Sequence, residues 1–188
     1  MNTETIISIF LGIGLAASVG FRVFVPLFTL SLASYFNIWE LNESWQWIGS
    51  LTAVITLGVA TIVEIFAYYI PYVDNVLDAI AIPLAAIAGT AVMVSTVADL
   101  SPVITWALAI IAGGGTAAAV AGSSGVTRLA STTTTGGITN PIVSTVETGT
   151  SVVMSILSIF IPLIAFIFVL IILYIIFRFY KKIKPTQP

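Results

Sequence analysis

The sequence predicts an all-α polytopic membrane protein with about six transmembrane helices, some of them broken. Three observations carry this prediction: 59% of the 188 residues are hydrophobic, only 7% are charged, and the mean hydropathy is +1.13. Soluble domains carry roughly 25% charged residues. Because this chain has too few charges to cover a surface in water, we expect residues 1–188 to form a single transmembrane domain.

The apolar stretches are long enough to be placed one by one. A hydrocarbon core of about 30 Å needs about 20 apolar residues as helix, which predicts helices at about 6–35, 47–70, 79–97, 103–121 and 152–179. The second helix follows a polar loop whose residues Trp39, Trp45 and Trp47 suit the membrane interface. Pro102 suits the first turn of the fourth helix.

Charge gives the orientation. The basic cluster of Arg178, Lys181, Lys182 and Lys184 predicts a cytoplasmic C-terminus with a short basic tail at 181–188. The acidic loop at 37–46 is expected outside, which places the N-terminus inside. Five crossings would then leave the C-terminus outside. A sixth crossing through 122–148, sheltered by other helices, returns the C-terminus to the cytoplasm. The alternative is a re-entrant or cytoplasmic loop, an outside N-terminus and five crossings.

Small residues recur in two places at intervals of four. One series leads to Arg22 and the other to Arg128; the series are Gly12, Ala16, Gly20 and Gly113, Ala117, Ala121, Gly125. This echo suggests two inverted three-helix halves, 1–100 and 101–180, an arrangement typical of transporters. Chance similarity between glycine- and alanine-rich helices is the alternative. The same residues permit close helix packing within one chain or in a homo-oligomer.

Three segments resemble one bacterial membrane family, the domain of unknown function 4126. They are GLAASVGFRVFVPLF, VDNVLDAIAIPLAAIAG and AGGGTAAAVAGSSGVTRLAST with the following TNPIVSTVE. The resemblance implies a multi-spanning protein of the bacterial inner membrane. In its second half that family often carries a lysine before the arginine and an acidic pair near Glu147. Here Thr148 follows Glu147 and no such lysine precedes Arg128.

Two charged residues, Arg22 and Glu64, fall inside apolar stretches, and two more, Arg128 and Glu147, lie in the polar segment between the fourth and the last predicted helix. Arg22 and Arg128 would contact an anionic group or gate a path, or else reach the interface or pair with a carboxylate. Glu64 and Glu147 would exchange protons or bind a cation, or else form structural ion pairs. Arg128 and Glu147 can pair only if the chain folds back at the Gly-Gly sequence between them.

The segment 123–147 is the main candidate for a polar path. Its hydroxyls, amides and helix breakers would supply free backbone groups of the kind that hold ions in broken transporter helices. The alternative is a flexible loop in solvent. The candidate residues of this segment, besides Arg128 and Glu147, are Thr132, Thr135, Gly136, Gly137, Asn140 and Ser144.

Asp74 and Asp78 are weak candidates for a metal site. Their spacing of four puts both carboxylates on one helix face, where they offer oxygen ligands to a hard cation. Two carboxylates are few for such a site. This favours the alternative, in which Asp74 or Asn75 caps the third helix.

The composition also excludes several classes of chemistry and of binding partner. The chain has no cysteine and no histidine, so disulfide, thiol and imidazole chemistry are excluded and no cofactor is expected. Six basic residues form no phosphate-binding stripe, which argues against nucleic acid and leaves lipid and a small solute or ion as partners. The sequence therefore favours a small-solute or ion transporter or channel. The alternatives are a non-transporting scaffold or assembly partner and, third, a metal-dependent enzyme acting on lipid.

Overall fold

The computed structural model describes residues 2–98 and 100–183, and these residues are mainly helical. They form eight α-helices with a 3₁₀ segment at Glu43–Gly49 and a π-helical segment at Ala109–Gly114. The α-helices are α1 Thr3–Val19, α2 Phe24–Tyr35, α3 Leu51–Ala67, α4 Pro71–Thr96, α5 Pro102–Leu108, α6 Gly115–Thr135, α7 Asn140–Phe160 and α8 Pro162–Ile183.

Four of the described helical stretches are long and apolar enough to cross a membrane. They are Val73–Thr96, Pro102–Thr135, Asn140–Phe160 and Pro162–Lys182. A fifth results if the 3₁₀ segment and α3, which meet at an angle of 65°, count as one span. The all-α class is thus confirmed, and the apolar helices are those of a membrane protein.

The first predicted helix is two helices. α1 ends at Val19 and α2 begins at Phe24, and the residues between them turn the chain back. Two features favour the break. Pro26 has no N–H and stands in the first turn of α2, where no intrahelical donor is needed. The amides of Val23 and Phe24, which have no partner within α2, donate to the carboxylate of Glu64.

The turn between α1 and α2 brings the start of α1 close to the segment that follows α2. Ser8 Oγ accepts a hydrogen bond from the Ala98 amide at 3.1 Å, and Asn42 Nδ2 donates to the carbonyls of Val94 and Val97. The structure therefore places the beginning of α1 and the 37–46 loop at one end of the bundle, which we call the N-terminal end. The expectation that they lie on opposite sides rested on an unbroken first helix.

The stretch 122–148 is a helical hairpin and not a separate crossing. α6 continues to Thr135, and a tight turn leads into α7 at Asn140. Gly136 and Gly137 make the turn with φ of 66° and 85°, a left-handed conformation that glycine adopts without a Cβ clash. The hairpin and the α3–α4 turn meet where Tyr69 and Thr145 share a hydrogen bond of 2.8 Å. We call this the hairpin end.

The C-terminal half of α8 lies near the hairpin end. Phe179 and Tyr180 line a cavity together with Val126 and Ala130 of α6. The predicted last helix, 152–179, is wrong as a single element because Pro162 separates α7 from α8. Of the predicted basic tail, residues 184–188 with Lys184 lie outside the described residues, as does Asp99 between the third and fourth predicted helices.

α4 begins eight residues earlier than predicted. Pro71 occupies its first turn, and Ile70 is the residue that precedes it as N-cap. The predicted cap at Asp74 or Asn75 is therefore wrong, because both lie inside the helix. Asp74 remains in the first turn, where a carboxylate offsets the partial positive charge of the helix N-terminus.

α1 lies at the centre of the bundle, where Leu11 and Leu15 are fully buried against α4 and its neighbours. α4 and the α5–α6 helix cross closely at Gly89 and Gly113. A Cβ added to Gly113 would lie 2.6 Å from the Gly89 carbonyl oxygen. These small residues thus serve packing within the chain.

Candidate functional site

Arg22 lies in the turn between α1 and α2 and is only 2% exposed. Its five N–H groups all donate to neighbouring oxygens. Nη1 bonds Glu147 Oε2 at 3.1 Å and the Phe21 carbonyl, and Nη2 bonds both oxygens of Ser144. Nε bonds Thr148 Oγ1 at 3.0 Å. α7 therefore supplies most of the partners that hold this buried charge.

Arg128 reaches the same carboxylate from α6. Its Nε lies 3.1 Å from Glu147 Oε2, and its Nη2 also pairs with that oxygen. Its Nη1 pairs with Asp74, and Asp78 Oδ1 lies 3.7 Å from Nε. The fold-back at Gly136–Gly137 predicted for an Arg128–Glu147 pair is confirmed. We call Arg22, Arg128, Asp74, Asp78 and Glu147 the ion network.

Tyr68 lies between the two guanidinium groups. Its ring centroid is 3.9 Å from Cζ of Arg22 and 4.5 Å from Cζ of Arg128, which is cation–π distance for both. The sequence does not reveal this residue, because nothing local distinguishes it from an interfacial tyrosine.

Glu64 lies beside the network, where it binds amides. Its two oxygens accept the Val23 and Phe24 N–H groups at 2.8 and 2.9 Å. Glu64 therefore fixes the turn that carries Arg22. Glu64 and Tyr68 also line a mostly apolar groove of about 470 Å³ beside α2, α3 and α4, whose walls include Val63 and Leu77.

The hairpin tip contains the remaining predicted residues. Asn140 Nδ2 donates to Asp74 Oδ2 at 3.3 Å and to Thr132 Oγ1 at 3.0 Å, so these two residues adjoin the network. Thr135 bonds the Ser131 carbonyl and the Thr139 hydroxyl, away from the network. Gly136 and Gly137 form the turn itself. The helix breakers that were predicted to free backbone groups in this segment therefore form a hairpin turn.

α7 carries a polar face that extends beyond the predicted polar segment 123–147. From the hairpin end, residues spaced by three or four point towards α1 or α6, and the four serines among them are fully buried. We call this face the α7 stripe: Asn140, Ser144, Glu147, Ser151, Ser155 and Ser158. The helical spacing was readable from the sequence, but the predicted helix boundary at 152 divided the series.

Opposite the middle of the stripe, α1 contributes Ser18. Its Oγ lies 2.6 Å from Ser155 Oγ, 3.0 Å from Ser151 Oγ and 2.7 Å from the Ser151 carbonyl oxygen. Ser151 Oγ in turn reaches the Ser18 carbonyl at 3.1 Å. Three hydroxyls are thus in direct contact between two helices, one turn of α7 away from Glu147.

The charges at the site do not balance. Two guanidinium groups face the carboxylates of Asp74, Asp78 and Glu147, with Glu64 beside them. When all are ionised, the negative charge exceeds the positive charge by two. The N-termini of α2 and α4 offset part of this excess at Glu64 and Asp74. Asp78 has the most exposed side chain of the network, at 25%.

Asp74 and Asp78 both contact Arg128, which occupies the position of a cation between them. Within 2–98 and 100–183, no group of three or more His, Cys, Asp or Glu side chains is arranged to hold a metal ion. Binding a metal at this pair would require Arg128 to move away.

Residues 9–182 match the model of a family described as a domain of unknown function, DUF4126. The chain belongs to the DUF4126 family. No curated protein and no solved structure matches this DUF4126 chain. The match covers every residue of the ion network and the whole α7 stripe.

Proposed function

We propose that the protein is an ion or small-solute transporter or channel whose polar path follows the α7 stripe. The ion network would form the charged centre of this path near the hairpin end. The observation that carries the proposal is the continuity between the two: Ser144 and Glu147 belong to the stripe and also bind Arg22.

The length of the stripe supports the proposal. Asn140 and Ser158 are eighteen residues apart on one helix, which corresponds to about 27 Å at 1.5 Å per residue. The hydrocarbon core of a bilayer is about 30 Å thick. A buried polar face of this length on an apolar helix connects most of the distance between the two membrane surfaces.

Two helix breaks adjoin the stripe. The α1–α2 turn presents Arg22 near one end, and Pro162 interrupts the chain after Ser158 near the other. Because proline has no N–H, it cannot bond the carbonyl of Ser158, four residues before it. Breaks that release backbone groups beside a buried polar path are typical of transporters.

The cost of the buried charges also favours a function for them. Charged groups at membrane depth are expensive, and well-packed apolar residues often replace a buried ion pair without loss of stability. A network of two arginines and three acids, drawn from four parts of the chain, is therefore more than packing requires.

We further propose the finer membrane assignment from the sequence. The protein would lie in a bacterial inner membrane with the hairpin end and the C-terminus cytoplasmic, since the basic residues Arg178, Lys181 and Lys182 stand at the end of α8. The start of α1 and the end of α8 lie at opposite ends of the bundle, so this assignment takes the alternative of five crossings with an outside N-terminus rather than six. The inverted halves 1–100 and 101–180 and a homo-oligomer remain predictions.

Flux from proteoliposomes tests the function. Purified protein should conduct protons, sodium, potassium, chloride or a member of a panel of small polar solutes above the rate of empty liposomes. Glu147→Gln should lower that flux by at least about tenfold, because the network loses its shared carboxylate. Glu43→Gln, on the exposed 3₁₀ segment, is the matched control and should leave the flux unchanged. Empty-liposome rates for every species would refute the proposal.

A scaffold role is the second candidate, and one observation favours it. Among the described residues, every buried side-chain nitrogen and oxygen has a hydrogen-bond partner, as expected of polar groups whose role is structural. Under this alternative, Glu147→Gln lowers the stability of the protein while every flux stays at the rate of empty liposomes. The lipid-active enzyme is the third candidate, and it needs Arg128 to release Asp74 and Asp78 before a metal binds.

A further inference from the structure

We propose that the ion carried is a proton, relayed by the hydroxyls of Ser155, Ser18 and Ser151 to Glu147. The inference rests on the proposed function and names its substrate. Nothing in the family match assigns these three serines a role. They lie on two helices, and only the packing of α1 against α7 brings them together.

The distances between the hydroxyls identify the ion. Ser18 Oγ lies 2.6 Å from Ser155 Oγ and 3.0 Å from Ser151 Oγ, and all three residues are fully buried. Oxygens in direct hydrogen-bond contact leave no space between them for a metal ion, which needs about 2 Å to each of several ligand oxygens. A proton needs no such space, because it passes along the hydrogen bonds.

The relay step is balanced in atoms and charge. Each hydroxyl accepts a proton on its oxygen from one neighbour and gives its own proton to the next, and then rotates back. No bond other than O–H forms or breaks. Ser18 suits the central position because its oxygen has hydroxyl neighbours on both sides. Its single proton also reaches the Ser151 carbonyl at 2.7 Å, so the hydroxyl turns from that carbonyl to Ser151 Oγ for the transfer.

The carboxylates provide the terminus at the hairpin end. Glu147 and Ser151 are four residues apart on α7, so their Cβ atoms are about 5–6 Å apart, and the relay requires one water molecule between their oxygens. Arg22 and Arg128 face Glu147, while Asp74 and Asp78 face Arg128 and Tyr68 stacks on both arginines. The excess of carboxylates gives a proton a place to bind, and the partly exposed Asp78 gives it a route to solvent.

Ser158 lies one turn beyond Ser155 on the same face, against Gly14 of α1. Its hydroxyl donates to the Met154 carbonyl, so Ser155 is the last hydroxyl of the relay. The Ser158 carbonyl has no donor at position 162, where proline stands. The break between α7 and α8 therefore leaves a backbone acceptor at the end of the relay.

The test measures proton flux in proteoliposomes that contain a trapped pH-sensitive dye, with valinomycin and potassium to set the potential. Wild-type protein should acidify or alkalinise the lumen as the potential directs. Ser18→Ala and Ser155→Ala should each lower the proton flux by at least about tenfold, since each removes a required contact. Ser31→Ala is the matched control, because Ser31 on α2 is equally buried and donates to the Ile48 carbonyl of the 3₁₀ segment, away from the relay.

Size-exclusion profiles and melting temperatures of the variants show that each is folded. Ser155→Ala is the milder change, since the Ser155 hydroxyl contacts Ser18 alone among the side chains. Wild-type proton flux that survives both substitutions overturns the relay. Flux of sodium, potassium, chloride or a solute without proton flux refutes the proposal that the ion is a proton, while the transport proposal stands. Empty-liposome rates for all species overturn both.

Discussion

Arg22 shows how a buried charge is held at a helix break. Three of its five hydrogen bonds go to neutral oxygens of Phe21 and Ser144, one goes to Thr148 and one goes to Glu147. A lysine, with three donors on a single nitrogen, does not reproduce this planar arrangement. The position of the arginine depends in turn on Glu64, whose carboxylate holds the two amides that follow the turn.

We predict that Glu64→Gln lowers the free energy of unfolding by about 1–2 kcal/mol. A carboxamide offers one oxygen where the carboxylate offers two, so one of the amides of Val23 and Phe24 loses its partner. Chemical unfolding in detergent, followed by circular dichroism, measures the change. Glu43→Gln is the same substitution at an exposed site and should stay within about 0.5 kcal/mol of wild type. Equal effects of the two would show that the cap contributes nothing.

At the level of elements, the site depends on helices that approach closely. α1 packs against α7 with Gly14 opposite Ser158, and α4 crosses the π-helical segment with Gly89 opposite Gly113. Small residues at these contacts bring the backbones together, and this closeness places the hydroxyls of Ser18 and Ser155 within hydrogen-bond distance.

Gly113 and Gly115 provide a matched pair, since they lie two residues apart and face different surroundings. A Cβ on Gly113 would lie 2.6 Å from the Gly89 carbonyl oxygen, whereas one on Gly115 meets nothing within 4 Å. We predict that Gly113→Ala destabilises the protein by about 1–3 kcal/mol through overpacking. Gly115→Ala should be neutral or stabilise it by up to about 1 kcal/mol. Melting temperatures in detergent compare the two, and a Gly113→Ala protein as stable as wild type would contradict the close crossing.

At the level of the whole molecule, the α1–α2 turn decides the topology. The start of α1, the 3₁₀ segment and the end of α4 gather at the N-terminal end, and the α6–α7 turn lies at the hairpin end. The polar interior therefore runs between two ends that carry different chain segments.

We predict that single cysteines at Glu4 and Glu43 react with a membrane-impermeant maleimide from the same side of the membrane. Cysteines at Ile138 and Lys182 should react from the opposite side, which the basic residues at the end of α8 indicate is the cytoplasm. The native chain has no cysteine, so each variant reports on one position. An unbroken first helix would instead place Glu4 and Glu43 on opposite sides, and that labelling pattern would contradict the structure.

The sequence by itself determined the class of the protein and most of its charged site. A chain that is 59% hydrophobic with fourteen charged residues has to bury its helices in lipid. Charges within such helices, or in a polar segment between them, require partners, so Arg22, Arg128 and Glu147 could be named from their position alone. The spacing of Asp74 and Asp78 likewise placed both on one face of α4.

Only the tertiary structure decided which of these groups meet and where the helices break. The turn at 20–23 depends on the carboxylate of Glu64, which lies about forty residues further along the chain and replaces the missing intrahelical bonds. The relay of Ser18, Ser151 and Ser155 joins residues more than 130 positions apart. Local propensity and periodicity act over one or two turns of helix, so contacts at this separation are set by the packing of whole helices.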